Sequence, residues 1–371
     1  MIKILHTGDI HLDSPFSGLD ARHSSQRRNE LRAAFTSMMT YAKMTGADIM
    51  LIAGDLFDGD MVTRETVAML CREFETFGKP VFIAPGNHDP ASPKSIWTKN
   101  PFPENVHVFT EEKLTSVDLD ELGVTVYGFG FASAALDHVP TDGHTVSDPA
   151  RINLLVCHGD MTDAQSSDCP VTASHLLAFG ADYTALGHIH NPPAPGPDNR
   201  WCYCGCLEAR GFDECGPKGA CLVELAKQNQ QTNITIKRVR FSKRRYEKGE
   251  LILSGAQTAE EISEAIGAYI REKRYGDDTL LSLSLTGTVS PALLPDTEQL
   301  ENDTHGLYLL KLTDRTRPEL DFSSLETDRT VRGELYRQLK PSLESTDERT
   351  REVGIRALRY AFAALSGEHA F

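Results

Sequence analysis

The chain opens Met1-Ile-Lys-Ile-Leu-His-Thr-Gly-Asp-Ile-His11, and the reading of this stretch decides the rest. Ile2 to His6 is short and mostly apolar, which predicts a buried strand, and it stops at Gly8-Asp9-Ile10-His11. Glycine permits a sharp turn, and residues two apart, such as Asp9 and His11, share one face of an extended backbone. The device recurs along the chain. Asp48 to Ala53 runs into Gly54-Asp55-Leu56-Phe57-Asp58, and Pro80 to Ala84 into Gly86-Asn87-His88-Asp89. Ile152 to Cys157 runs into His158-Gly159, and Asp182 to Leu186 into Gly187-His188-Ile189-His190. Each cluster alone is ordinary turn chemistry. Together, at the carboxyl ends of predicted strands, they predict one site, because loops there converge on a single crevice.

Outward from these motifs, Val106 to Phe109 and Val124 to Phe129 read as further strands. Leu31, Phe35, Met38, Met39 and Ala42 recur at helical spacing, as do Val67, Leu70, Cys71, Phe74 and Phe77. Asn191 to Arg200 is too rich in proline for helix or central strand and reads as an exposed loop. Trp201 to Leu207, Ala220 to Leu225 and Ile234 to Phe241 add strands. The predicted fold class is α/β, a four-layered αββα sandwich over residues 1–240. The basic stretch Arg240-Phe-Ser-Lys-Arg-Arg-Tyr-Glu-Lys248 marks the boundary. Residues 241–325 then read as a small α+β cap, with a helix over Thr258 to Tyr275 and strands near Leu280 to Leu285 and Gly306 to Leu312. Residues 326–371 read as a helical tail, broken at Pro341.

Composition excludes several classes. Of 371 residues, 40% are apolar and 25% charged, which is incompatible with wholesale disorder. Apolar runs such as Met50 to Ala53 fall far short of the ~20 residues a membrane span needs. The opening residues lack an export leader, so the expected location is the cytoplasm, with the eight cysteines mostly reduced. With 38 Lys plus Arg against 53 Asp plus Glu, the net charge is −15. Any binding to phosphates must therefore come from local positive charge, such as bound metals.

The clusters combine hard oxygen ligands with neutral imidazoles and no thiolate. That set suits Mn2+ or Fe2+, with Zn2+ as a third option. Seven donors exceed one ion. Two ions about 3.5–4 Å apart, bridged by a carboxylate and a hydroxide, would use them all and suit phosphate-ester hydrolysis.

These motifs resemble the calcineurin-like metallophosphoesterases, whose signature is Asp-x-His, Gly-Asp-x-x-Asp, Gly-Asn-His-Asp/Glu, His-Gly and Gly-His-x-His. His6 to Phe16, Gly54 to Asp58 and Leu207-Glu-Ala-Arg-Gly-Phe-Asp-Glu214 look like the DNA-repair exonuclease branch, SbcD-like and especially YhaO-like proteins. The resemblance is good over roughly residues 1–240. It implies that Asp9, His11, Asp55 and His190 hold one ion and Asp55, Asn87, His158 and His188 the other, with Asp55 as bridge. It makes His88 the group that protonates the leaving oxygen or stabilises the transferring phosphate. Asp89 would orient His88. Asp58 is either a turn or cap residue or a support behind the site. The implied activity is metal-dependent DNA hydrolysis, exonucleolytic in the main, and the implied partners are DNA, an SMC-like coiled-coil ATPase and a second copy of the chain. A small-nucleotide phosphodiesterase or phosphatase, and a largely non-catalytic scaffold, are the competing readings. The Arg240 to Lys248 stretch is either a polymer contact or a solvated strand edge.

Two features fall outside this frame. Cys202, Cys204 and Cys206 occupy a segment where related proteins more often carry a Tyr-Pro-Gly-Ser type of turn. Their alternation reads as the buried face of a strand, against a zinc or redox site. In the tail, Val353, Ala357, Tyr360, Ala361, Ala364 and Leu365 form an apolar stripe that either docks the ATPase or packs internally.

Overall fold

The computed structural model describes residues 1–291, 293–319 and 321–365. The chain divides into two compact units, Met1–Arg245 and Tyr246–Phe371.

The first unit is built on two sheets. In chain order its strands are β1 (Ile2–Thr7), β2 (Ile49–Ile52), β3 (Val81–Ile83), β4 (Val106–Val108), β5 (Thr115–Leu119), β6 (Val124–Gly128), β7 (Ile152–His158), β8 (Tyr183–Gly187), β9 (Trp201–Tyr203), β10 (Gly219–Gln228) and β11 (Gln231–Arg240). One sheet runs β11-β10-β1-β2-β3-β4 and the other β5-β6-β7-β8-β9. β1 to β4 are parallel, and so are β6 to β9. The β10–β11 hairpin adds antiparallel to β1, so β11 again runs in the direction of β1.

Side-chain alternation sorts the core into three apolar layers. Leu5, Met50 and Ile52 pack beneath α1 (Ala21–Thr45) and α2 (Arg64–Phe77), meeting Phe35, Met38 and Phe74. Ile4, Leu51, Leu154, Val156 and Ala185 fill the space between the sheets. Leu155, Leu186 and Tyr127 face outward from the second sheet against Leu176 and Phe179. The last two belong to α4 (Ala173–Phe179), after the short α3 (Ile96–Lys99). The order is therefore helix, sheet, sheet, helix, as the sequence predicts. His6, fully buried on β1, pins the sheets together: its Nδ1 accepts from the Tyr183 hydroxyl at 2.8 Å and its Nε2 donates to the Leu186 carbonyl at 3.2 Å. Burial lowers its pKa to about 3, so the ring is neutral.

The second unit carries β12 (Arg245–Ala256), α5 (Ala259–Lys273), β13 (Thr279–Val289), α6 (Thr297–Glu301), β14 (Leu309–Asp314), β15 (Arg317–Pro318), α7 (Phe322–Thr327), α8 (Val331–Leu343) and α9 (Glu348–Leu365). Ile262, Ile266 and Ile270 of α5 pack on Leu281, Leu283 and Leu285 of β13. Leu358 and Phe362 of α9 pack with Tyr336 of α8 and Leu325 of α7.

Three expectations need correction. Pro341 lies inside α8, and the break comes at residues 344–347. A proline removes one i→i−4 bond, and here the loss falls in the last turn, where the helix is ending anyway. In α9, the stripe that packs internally contains Leu358 and Phe362, while Val353, Tyr360 and Leu365 are 61%, 51% and 45% exposed. The cysteine segment is a strand only as far as Tyr203: Gly205 takes φ +75°, so Cys204 and Cys206 are buried from a turn.

Candidate metal centre

The loops after β1, β2, β3, β7 and β8 close on one another. The backbone N–H of Asp9 donates to the Gly54 carbonyl at 3.0 Å, and those of Ile10 and His11 both donate to the Asp55 carbonyl at 2.9 Å. The Asp9 carboxylate accepts the N–H of His188 at 2.8 Å, and Oδ1 of Asp55 accepts that of His88 at 3.0 Å. Four loops are thus laced together, two through their backbones and two through the carboxylates of Asp9 and Asp55.

The local geometry differs from the extended backbone that the two-residue spacing suggests. Asp9, His11 and Asp55 have φ of 47°, 50° and 49°, and His188 has 111°. Left-handed turns after the strand ends, rather than strand alternation, bring Asp9 and His11 together. Such conformations cost on the order of 1–3 kcal/mol each and persist where the surroundings over-determine them. The glycines answer to close approach. A Cβ on Gly54, at φ +84°, would lie 2.3 Å from Nδ1 of His158, and one on Gly86 would lie 2.2 Å from Oδ1 of Asp55.

Asp9 and Asp55 are 0% and 2% exposed, and among the described residues neither pairs with a lysine or arginine. Imidazole nitrogens surround them instead. Nε2 of His190 lies 3.9 Å from Oδ1 of Asp9, and Nε2 of His11 and of His158 lie 3.5 and 3.6 Å from Oδ2 of Asp55. Those separations exceed good hydrogen-bond lengths.

Three imidazoles are pinned from behind. Nδ1 of His11 faces Asp58 Oδ1 at 3.0 Å, Nδ1 of His158 the Ala53 carbonyl at 3.0 Å, and Nδ1 of His190 Glu214 Oε1 at 2.6 Å. Each acceptor can receive a hydrogen bond from Nδ1–H, and in a neutral ring so held Nε2 presents a bare lone pair. Burial lowers His11 to about 4, which keeps it neutral. Buried carboxylates without a cation and inward lone pairs form a donor set that fits divalent ions.

Donor atoms of Asp9, His11 and His190 lie within 4.8 Å of one another, as do those of Asp9, Asp55 and His158. Asn87 and His188 join through His158: Asn87 Oδ1 is 2.9 Å from its Nε2, and the His188 ring meets it edge-on at 5.2 Å. Every ligand position expected from sequence is therefore in this cluster.

His88 stands half-exposed at the edge, edge-on to His11 with ring centroids 4.8 Å apart. Its Nδ1 lies 3.3 Å from Asp58 Oδ1, and this contact raises its pKa. Asp58 is thus a support and not a helix cap, since Thr63 caps α2. Asp89 turns away from His88. Its buried carboxylate accepts from the backbone N–H groups of Leu56, Phe57 and Gly86, tying two loops together.

Sequence reasoning missed the roles of two residues in Leu207 to Glu214. Glu214 holds His190, and Arg210 Nη1 donates to Asp58 at 2.9 Å while its backbone N–H donates to Glu214 at 2.7 Å. The available signal was an arginine and a glutamate four apart in a segment with neighbours as buried as Leu207 and Ala209.

Residues 2–192 match the family described as calcineurin-like phosphoesterase. The chain belongs to this family. It is a metallophosphoesterase, of a family that works through a dinuclear divalent metal centre. It is similar to the uncharacterized metallophosphoesterase YhaO of Bacillus subtilis, 26% identical over 88% of this chain and 84% of that one. It is also similar to the DNA double-strand break repair protein Mre11 of Halobacterium salinarum, 27% identical over 89% and 84%. One chain of the nuclease SbcCD of Staphylococcus epidermidis is 23% identical over 52% and 57%.

Proposed function

We propose that the chain is a manganese-dependent DNA nuclease, mainly exonucleolytic, that acts in DNA repair with an SMC-like ATPase in the cytoplasm. The names of the Mre11 and SbcCD relatives support the substrate, and eight free cysteines support a reducing compartment. The observation that carries the hydrolytic reading is the pair of buried carboxylates, Asp9 and Asp55, ringed by bare Nε2 atoms, with half-exposed His88 beside them.

Asp9, His11, Asp55 and His190 would hold one ion and Asp55, Asn87, His158 and His188 the other; the near-equal separations of Asp55 Oδ2 from His11 and His158 support it as the shared ligand. Bound there, two divalent ions neutralise phosphoryl oxygens and lower the pKa of water. The protein supplies the rest. Asp58 keeps His88 protonated and aimed, so its ring offers a proton to the leaving oxygen. Asp58 and Glu214, braced by Arg210, fix the tautomers of His11 and His190.

A small-nucleotide diesterase is the second reading, favoured by the net charge of −15. The ATPase would dock on the exposed Val353, Tyr360 and Leu365 line of α9. Purified protein with manganese against linear DNA, circular DNA and a chromogenic phosphodiester separates these readings. Mononucleotide release from linear DNA supports the proposal; cleavage of the small diester alone overturns the nuclease assignment.

A further inference from the structure

β11 runs parallel to β1, so its carboxyl end lies at the end of the sheet where the ligand-bearing loops gather. Ile234 and Ile236 face the inter-sheet core; two and four residues beyond Ile236 the same face carries Arg238 and Arg240. A cavity of about 220 Å³ opens there, and its wall includes His190, Lys218, Arg238 and Arg240.

Two of the cations on this wall, Lys218 and Arg238, have only uncharged or thiol partners among the described residues. Lys218 is buried, and its Nζ donates to the His190 carbonyl at 3.1 Å and to Asn191 Oδ1 at 2.5 Å. Arg238 donates to the carbonyls of Cys204, Tyr203 and Pro193 and to Cys202 Sγ. All these partners are neutral, and among the described residues no carboxylate pairs with either cation. Lys218 is buried and Arg238 is exposed beside it, so in a chain of net charge −15 the buried ammonium is a charge left without a carboxylate. An ammonium has three donors, and two are used. Only an anion offsets such a pair without displacing the bonds already made.

We propose that this cavity binds a non-scissile phosphate of the substrate strand, one or more nucleotides from the phosphate that reacts at the metal centre. The inference rests on the nuclease reading and deepens it. His190 contributes to both places, so a strand in the cavity passes directly to the metal cluster. Local cations beside the centre also explain how an acidic protein holds a polyanion.

The test separates binding from hydrolysis. Fluorescence anisotropy of a labelled 12-nucleotide strand is measured in EDTA with the full chain, Arg238→Gln, Arg238→Lys and the double variant Lys218→Gln/Arg238→Gln. Arg238→Gln should weaken binding about tenfold, the loss of one charge-assisted contact, and Arg238→Lys should recover most of it. The salt slope should fall by about one unit per charge removed. The double variant, checked for folding by its melting transition, should bind more weakly still. Inorganic phosphate or a mononucleotide binding the parent as tightly as the strand would show a small-anion site and overturn the polymer assignment. Equal binding by parent and variants, or no binding by the parent at low salt, would overturn the cavity. Failure of the parent to hydrolyse DNA with manganese would count against the nuclease reading, while the anisotropy result would still decide the cavity.

Discussion

Nε2 of His11 and Nε2 of His190 lie 3.2 Å apart, and each ring is held from behind by a carboxylate, Asp58 for one and Glu214 for the other. With both rings neutral and their Nδ1 protons held from behind, two lone pairs face one another, an arrangement that a proton or a cation between them relieves. The fold builds this arrangement from residues 179 apart in sequence.

Asp55→Asn should lose both metals, because the carboxylate proposed to be shared would lose its charge. His88→Gln should keep them and lose turnover by about 10²–10⁴-fold. Elemental analysis beside a phosphodiester assay checks both. Two ions retained in Asp55→Asn would remove Asp55 from the bridging position.

Asp58→Asn should lower metal affinity or activity roughly 10–100-fold, since it releases His11 and His88 together. It should also move the pH profile. A proton-donating His88 must be protonated, so activity falls as pH rises through its pKa, which Asp58 raises. Without Asp58 that fall should come at lower pH. A fall at unchanged pH would remove Asp58 from the role.

Arg27, fully buried, bridges Glu30 and Glu208 at 2.7 Å each, and Arg244 closes on Glu30. The basic stretch is therefore in part an internal brace, since buried Arg244 is paired. Glu30→Gln should cost about 3–5 kcal/mol at neutral pH, as for other broken buried pairs. Burial alone would raise Glu30, but bonds from Arg244 and Arg27 bring it down to about 2. A depressed carboxyl stabilises fully above its unfolded value near 4.5 and progressively less as pH falls towards 2. The gap in melting temperature between parent and variant should therefore shrink across that window. A gap that widened would reverse the assignment.

Val353→Ser/Tyr360→Ser should leave the melting temperature nearly unchanged, because both side chains are exposed, yet prevent co-purification with an ATPase partner. Phe362→Ala, in the packed stripe, should instead cost about 3–5 kcal/mol. Co-purification surviving the double substitution would place the docking surface elsewhere.

The strands of the first unit other than β5, the helices over Leu31 to Ala42 and Val67 to Phe77, and the motifs whose residues gather in one cluster were legible in the sequence. Apolar periodicity and Gly-Asp, Gly-Asn and Gly-His turns are local signals, carried within a few residues. What the sequence could not decide depended on residues far apart. Asp58 could be a cap or a support until folding brought His11, His88 and Arg210 against it. Asp89 stands next to His88 in the chain, yet the loop turns its carboxylate towards Leu56 and Phe57. The apolar residues of α9 fit more than one stripe, and only contact with Tyr336 and Leu325 selects which is buried. The residue types of the cluster were written in local motifs; their orientation and charge balance were set by partners from other loops, because hydrogen bonds and Coulomb attraction act through space and not along the chain.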